Sequence, residues 1–217
     1  METEWIDEGI SVCTEARYRQ IRGNAGLHTI NNYDGETNEL DSVYNDSRFG
    51  SWLINSNVSL TSWRSNLPNY GQKGLFFWYL FEQKGSEFIK QITQSKDGGE
   101  SNLRSLVDFQ TAMLNFEQAV LNEVLHFRGI ADKSNVTDSK LKFTADVFPA
   151  TLANSQNDYT LTTDITLGGG SQAVSVAPNN ATYFTITQPA SFSGNTSFRI
   201  AHSSNNSAII VTVEKVK

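Results

Sequence analysis

The sequence holds a single cysteine and only three histidines in 217 residues, and its acidic residues outnumber its basic ones. Each shortage closes a class of function. Cys13 has no second cysteine to pair with, so there is no disulfide framework and no cysteine-based metal site. His28, His126 and His202 lie far apart, and none has another histidine or a cysteine at ligand spacing, so none builds a zinc site with a local partner. Seventeen Lys and Arg against 23 Asp and Glu leave a net charge of −6 without basic clusters. A nucleic-acid footprint is thereby excluded, because a phosphate backbone requires concentrated positive charge. No apolar run approaches the roughly 18 residues that span a bilayer, so no transmembrane segment is expected. The longest, Leu75 to Phe81, is flanked by lysines and reads as a buried helix segment. The N-terminus shows no basic stretch followed by an apolar one, hence no signal peptide. A GxSxG elbow, a P-loop and a GxGxxG loop are all lacking. Gly168 to Gly170 joins two strand-like runs and reads as a turn.

What is present begins abruptly. Ile6, Ile10 and Cys13 follow a helical rhythm that continues to Tyr18, with Cys13 as a small core residue. A natural domain rarely begins in mid-helix with a tryptophan such as Trp5, so a preceding piece is expected; the plainer alternative is a short exposed N-terminal helix. Gly23 to Asn57 is rich in Asn, Asp, Gly and Ser and reads as irregular connection. Leu75 to Gln83 and Glu87 to Gln94 predict two helices. Ser101 is placed to cap a third. Met113, Phe116, Val120, Val124 and Phe127 repeat at intervals of three and four, predicting a long amphipathic helix that stops near Gly129.

The texture changes from about Thr137. Leu141, Phe143, Ala145 and Val147 alternate within Lys140 to Val147, and further runs rich in Thr, Ser, Val and Ile follow. These are Tyr159 to Thr162, Ala173 to Val176, Thr182 to Ile186, Ser197 to Ala201 and Ala208 to Val216, separated by Gly, Pro, Asn and Ser. Short strands with regular turn signals predict an all-β sandwich. The expected architecture is therefore α+β and multidomain: a helical unit over 1–130, then a small sandwich over 131–217.

Two helical segments carry chemistry. Trp5-Ile6-Asp7-Glu8-Gly9-Ile10-Ser11 resembles the W-[LI]-[ND]-E-G-[FLI]-[AS] motif of gluzincin zinc metallopeptidases, a group that includes M1 aminopeptidases and hyicolysin-like M30 enzymes. Asn69-Tyr70-Gly71-Gln72-Lys73-Gly74, running on through an apolar stretch to Tyr79-Leu80 and Gly85, resembles the start of the next core helix in the same peptidases. Ser59 to Trp63 is similar to the hyicolysin-type connection between them. The resemblance covers roughly residues 3 to 129. It implies that Glu8 is the third zinc ligand, that the glycine after it leaves space beside the metal, and that Trp5 packs behind. It further implies that Tyr70 donates a hydrogen bond to the oxyanion formed when zinc-bound water attacks a peptide carbonyl. Asp7 stands where asparagine is more usual.

The same resemblance exposes a gap. Such a site also needs the two histidines and the glutamate of an HExxH helix, and no HExxH occurs in this chain. The expectation is a C-terminal fragment of a secreted or cell-surface metallopeptidase. Its intact parent would bind Zn2+ and cleave proteins or peptides, while the fragment alone would bind no catalytic zinc and be inactive. An apolar face is expected where the missing helix would pack, with self-association as its consequence. The alternative is a non-catalytic surface or secreted protein on a decayed peptidase scaffold, whose β-sandwich binds a ligand.

Overall fold

The computed structural model describes residues 3–24, 29–31, 37–39, 48, 51–52, 57–95, 98–127, 129–144, 162–166 and 183–187. Among them five helices run in the order α1 (Glu4–Asn24), α2 (Leu67–Lys84), α3 (Ser86–Gln94), α4 (Glu100–Leu106) and α5 (Phe109–Phe127). None of these helices is long and apolar enough to cross a membrane.

The centre of the helical unit is α2. Every residue from Gly71 to Leu80 is buried, so this helix is covered on all sides. Its entry is set locally: Asn66 accepts from the Asn69 backbone N–H at 3.2 Å, and Pro68 occupies the first turn, where no N–H is needed. Its exit is at Gly85, whose φ of +82° only glycine adopts without strain; the Gly85 N–H closes on the Phe81 carbonyl at 2.8 Å. The chain turns there directly into α3, which buries Phe88 and Ile92. An aromatic ladder joins α2 to its neighbours. Phe76 packs edge-on against Phe109 and Phe116, and Tyr79 against Phe143, while Trp5 of α1 tilts over Phe77. The third predicted helix begins one residue before its expected cap: Gly99 precedes Glu100 and Ser101 lies inside α4.

α1 presents a broad buried face of Trp5, Ile6, Ile10, Val12, Cys13 and Ala16. α5 contributes Phe109, Phe116, Ala119, Val120 and Val124, and it is preceded by Asp108, which accepts from the Thr111 N–H at 3.2 Å. The predicted stop near Gly129 is where the chain leaves the helix, with a left-handed φ of +67° and its N–H on the His126 carbonyl at 2.9 Å. Inside the stretch read as polar connection, Trp52 is fully buried and stacks on Phe116 at 5.9 Å, and Arg48 pairs with Glu15 at 2.7 Å. Composition did not reveal either link.

The sandwich expectation is overturned. The described residues form a helical fold, and their only strands are four short ones in two separate two-stranded ladders. β1 (Thr29–Asn31) pairs antiparallel with β2 (Thr37–Glu39), and β3 (Thr162–Thr166) pairs with β4 (Tyr183–Thr187). The second ladder is parallel, whereas a sandwich of consecutive hairpins is built from antiparallel neighbours. β4 overlaps the run Thr182 to Ile186; the runs Ala173 to Val176, Ser197 to Ala201 and Ala208 to Val216 lie outside the described residues.

The alternation at Lys140 to Val147 does not give a strand in its described part either. Lys133–Asn135 and Ser139–Leu141 are 3-10 turns, capped by Asp132 and Asp138, whose carboxylates accept from the backbone N–H of Ser134 and Lys140 at 2.9 Å each. A local aspartate that satisfies the backbone competes with any ladder. These turns lie on the helices. Tyr79 donates to the Lys140 carbonyl at 2.8 Å and Asn122 to the Leu141 carbonyl at 2.8 Å. Lys133 pairs with the buried Glu123 at 2.9 Å, Glu82 accepts from the Thr144 N–H at 2.7 Å, and Phe143 is buried in the helical core.

Candidate functional site

Two segments distant in sequence meet where α1 crosses α2. A Cβ built on Gly9 would stand 2.5 and 2.9 Å from the ring of Phe77 and 3.0 Å from the Cβ of Lys73. Only a residue without a side chain permits that approach. The glycine after Glu8 therefore serves the helix crossing. Trp5 of the same helix is buried, 5.9 Å from Phe77 and 6.2 Å from Phe109 between ring centres.

Glu8 immediately precedes this crossing and is half-buried, and Asp7 beside it is exposed in the first turn of α1. There the acidic charge complements the helix N-terminus. Tyr70 lies on α2 three residues before Lys73 and is also half-buried. Both predicted site residues thus flank one crossing.

The ring of Tyr70 is held by Trp63, edge-to-face at 4.8 Å and 89°. Trp63 comes from the segment 57–66, which is tied to α2 at both ends. Near its start Leu60 is fully buried, the Gln72 amide donates to the Val58 carbonyl at 2.8 Å, and the Lys73 ammonium donates to the Ser59 carbonyl at 2.8 Å. At its end Asn66 accepts from both the backbone and the side-chain amide of Asn69, at 3.2 and 2.8 Å.

Lys73 is the most unusual group here, a lysine with no exposed surface. Burial pushes its pKa down to about 7, since a desolvated ammonium is disfavoured. Its Nζ donates to three oxygens: Ser59 O at 2.8 Å, Asn69 Oδ1 at 2.9 Å and Gln72 Oε1 at 3.2 Å. Three N–H groups thus have three acceptors. The amide nitrogens of Asn69 and Gln72 are committed to Asn66 and Val58, which leaves both amide oxygens facing the lysine. Lys73 has no carboxylate among these partners. The sequence placed it in a motif without giving it a role; it stands just ahead of the apolar run from Leu75, where a lysine reads as a flank.

His126 sits in the last turn of α5, where Nδ1 accepts from the Lys133 N–H at 3.4 Å and lies 3.6 Å from Asp132. That contact joins α5 to the following turn. His28 and His202 lie outside the described residues. Among the described residues no three His, Cys, Asp or Glu side chains gather in a way that could hold a metal ion. Glu8 offers one carboxylate, and a zinc centre takes three or four protein donors. The donors present in the described part of this chain therefore do not by themselves fit zinc. Comparison with models of known protein families, with curated proteins and with solved structures finds no match to this chain.

Proposed function

We propose that this chain is the C-terminal part of a zinc-dependent metallopeptidase of the gluzincin type, with Glu8 as a metal ligand and Tyr70 as an oxyanion donor in the intact protein. The observation that carries the reading is the crossing at Gly9: the two segments that resemble the family's motifs are the two that meet there, at Lys73 and Phe77. A half-buried Tyr70 suits its role. A phenol gives one directed hydrogen bond, and a donor held ready for the tetrahedral oxyanion of a peptide substrate lowers the barrier by about 3 kcal/mol. Trp63 holds that phenol by a ring contact, edge-to-face at 4.8 Å.

The intact peptidase is read as a secreted or cell-surface enzyme acting on proteins or peptides. The remaining metal donors and the general base would come from an HExxH segment preceding Glu8. Alone, the present chain is inactive in this reading, and self-association would follow from the face left by that segment. The alternative of a ligand-binding sandwich loses its structural premise, because the described residues form no sandwich.

The test is to translate the source DNA in frame upstream of Met1. An HExxH ending roughly ten to thirty codons before Glu8 is the expected result. A frame without it, or peptidase activity from the pure chain supplied with zinc, overturns the proposal.

A further inference from the structure

Of the bonds that tie the Trp63 segment to α2, the one at Ser59 also closes a turn. The Ser59 carbonyl accepts from the Lys73 ammonium at 2.8 Å and also from the Ser62 N–H at 3.4 Å, closing the turn that ends just before Trp63. Trp63 in turn stands 4.8 Å from Tyr70. Lys73 lies one helical turn beyond Tyr70 on α2, so both ends of this circuit are on the same rigid helix. The sequence of contacts runs from Lys73 to Ser59, through the turn to Trp63, and back to Tyr70.

We infer that Lys73 is a positioning residue for Tyr70: its buried Nζ pins the Ser59 to Ser62 turn to α2 and thereby seats the Trp63 indole against the phenol ring. The inference rests on the reading of Tyr70 as the oxyanion donor for its catalytic meaning, though the mechanical circuit stands without it. Two features of the geometry favour this assignment over a packing role. An apolar side chain would fill the same volume without the charge, and burying an ammonium is costly unless its hydrogen bonds are needed. The three acceptors are also oriented for it, because the amides of Asn69 and Gln72 are each fixed from their other end. Gln72 ties Val58, one residue farther from Trp63 than Ser59, and its Oε1 is one of the acceptors that hold the Lys73 Nζ in place.

The circuit is read by NMR on the full chain labelled with 13C-tyrosine, with the Tyr70 ring signals assigned from Tyr70→Phe. In the unmodified chain those signals carry a ring-current shift from Trp63, which Trp63→Ala removes and so calibrates. In Lys73→Met the far-UV circular dichroism and the Tyr79 ring signals are expected to persist while most of the Tyr70 shift is lost. A folded Lys73→Met variant with an unchanged Tyr70 shift overturns the inference. Should Lys73→Met not fold, Lys73→Gln takes its place, and an unchanged Tyr70 shift in that folded variant overturns the inference. Ring shifts report position alone, whereas turnover of a Tyr70→Phe variant in the intact peptidase reports the catalytic role, so failure of either reading is distinguishable from failure of the other.

Discussion

Gly9 of α1 rests against the ring of Phe77 on α2 so closely that a methyl group would come within 2.5 Å of it. This contact brings together the two segments that bear Glu8 and Tyr70. It also sets the most direct test of the fold, because Phe77 is fully buried and has little room to withdraw.

Gly9→Ala is expected to destabilise the chain. Overpacking a tight core costs about 1–3 kcal/mol. Removing a glycine from a helix interior returns about 1 kcal/mol. A net loss of up to about 2 kcal/mol should appear as a lower urea midpoint with an unchanged slope.

Stability should pass through a maximum near pH 9. Burial holds Lys73 down at about 7 in the folded chain against an ordinary 10.5, so over that interval the unfolded chain binds more protons and stability rises with pH. Below about pH 7 both states hold the proton and the contribution levels off. Burial raises Cys13 from 9.0 to about 12, with Arg17 opposing and Glu82 adding. Burial and Asp138 raise Tyr79 from 10.0 to about 12, against a hydrogen bond with Asn115. Those two contributions are intact below the unfolded values and fade above them. Urea titrations from pH 6 to 11 check the curve, and Lys73→Met should remove its rising limb only.

The residues after α5 are held to the helices by specific bonds. Tyr79→Phe removes the donor to the Lys140 carbonyl, at a cost of about 1 kcal/mol. Glu82→Ala removes a charged acceptor shared by the Trp78 indole N–H at 3.0 Å and the Thr144 N–H at 2.7 Å, costing about 2–3 kcal/mol. Both variants should also quicken amide exchange at Ser139 to Thr144 ahead of the helices. Uniform acceleration over the whole chain would contradict local anchoring.

Tyr70→Phe separates structure from chemistry. The ring contact with Trp63 is kept, so the urea midpoint should barely move. On the proposed function, the same change in the longer protein should lower kcat by about 100- to 1,000-fold with little effect on KM. An unchanged kcat would remove Tyr70 from the reaction.

Zinc provides a further check on Glu8. One carboxylate is too few donors, so calorimetric titration of the isolated chain should show no tight stoichiometric uptake. In the intact protein Glu8→Gln should weaken zinc retention, read by metal content after dialysis.

The helices were legible because their signals are local. Apolar residues three and four apart and Gly129 past the last turn each act within a few residues. The two motif segments were visible for the same reason. The strand reading at Lys140 failed on equally local grounds, since Asp138 satisfies the backbone that alternation assigned to a ladder. Other features depend on who faces whom. Trp52 looks like part of a polar connection until Phe116 covers it, and Gly9 looks like a spacer until Phe77 arrives. Lys73 becomes a buried cation only because Ser59, Asn69 and Gln72 converge on its Nζ. Sequence alone located the helices through propensity and spacing, although the run from Leu75 marks only the later part of α2, which starts at Leu67 under the Asn66 cap. The crossing of α1 on α2, and the site around it, were decided by tertiary packing, because steric fit and desolvation exist only between surfaces already brought together.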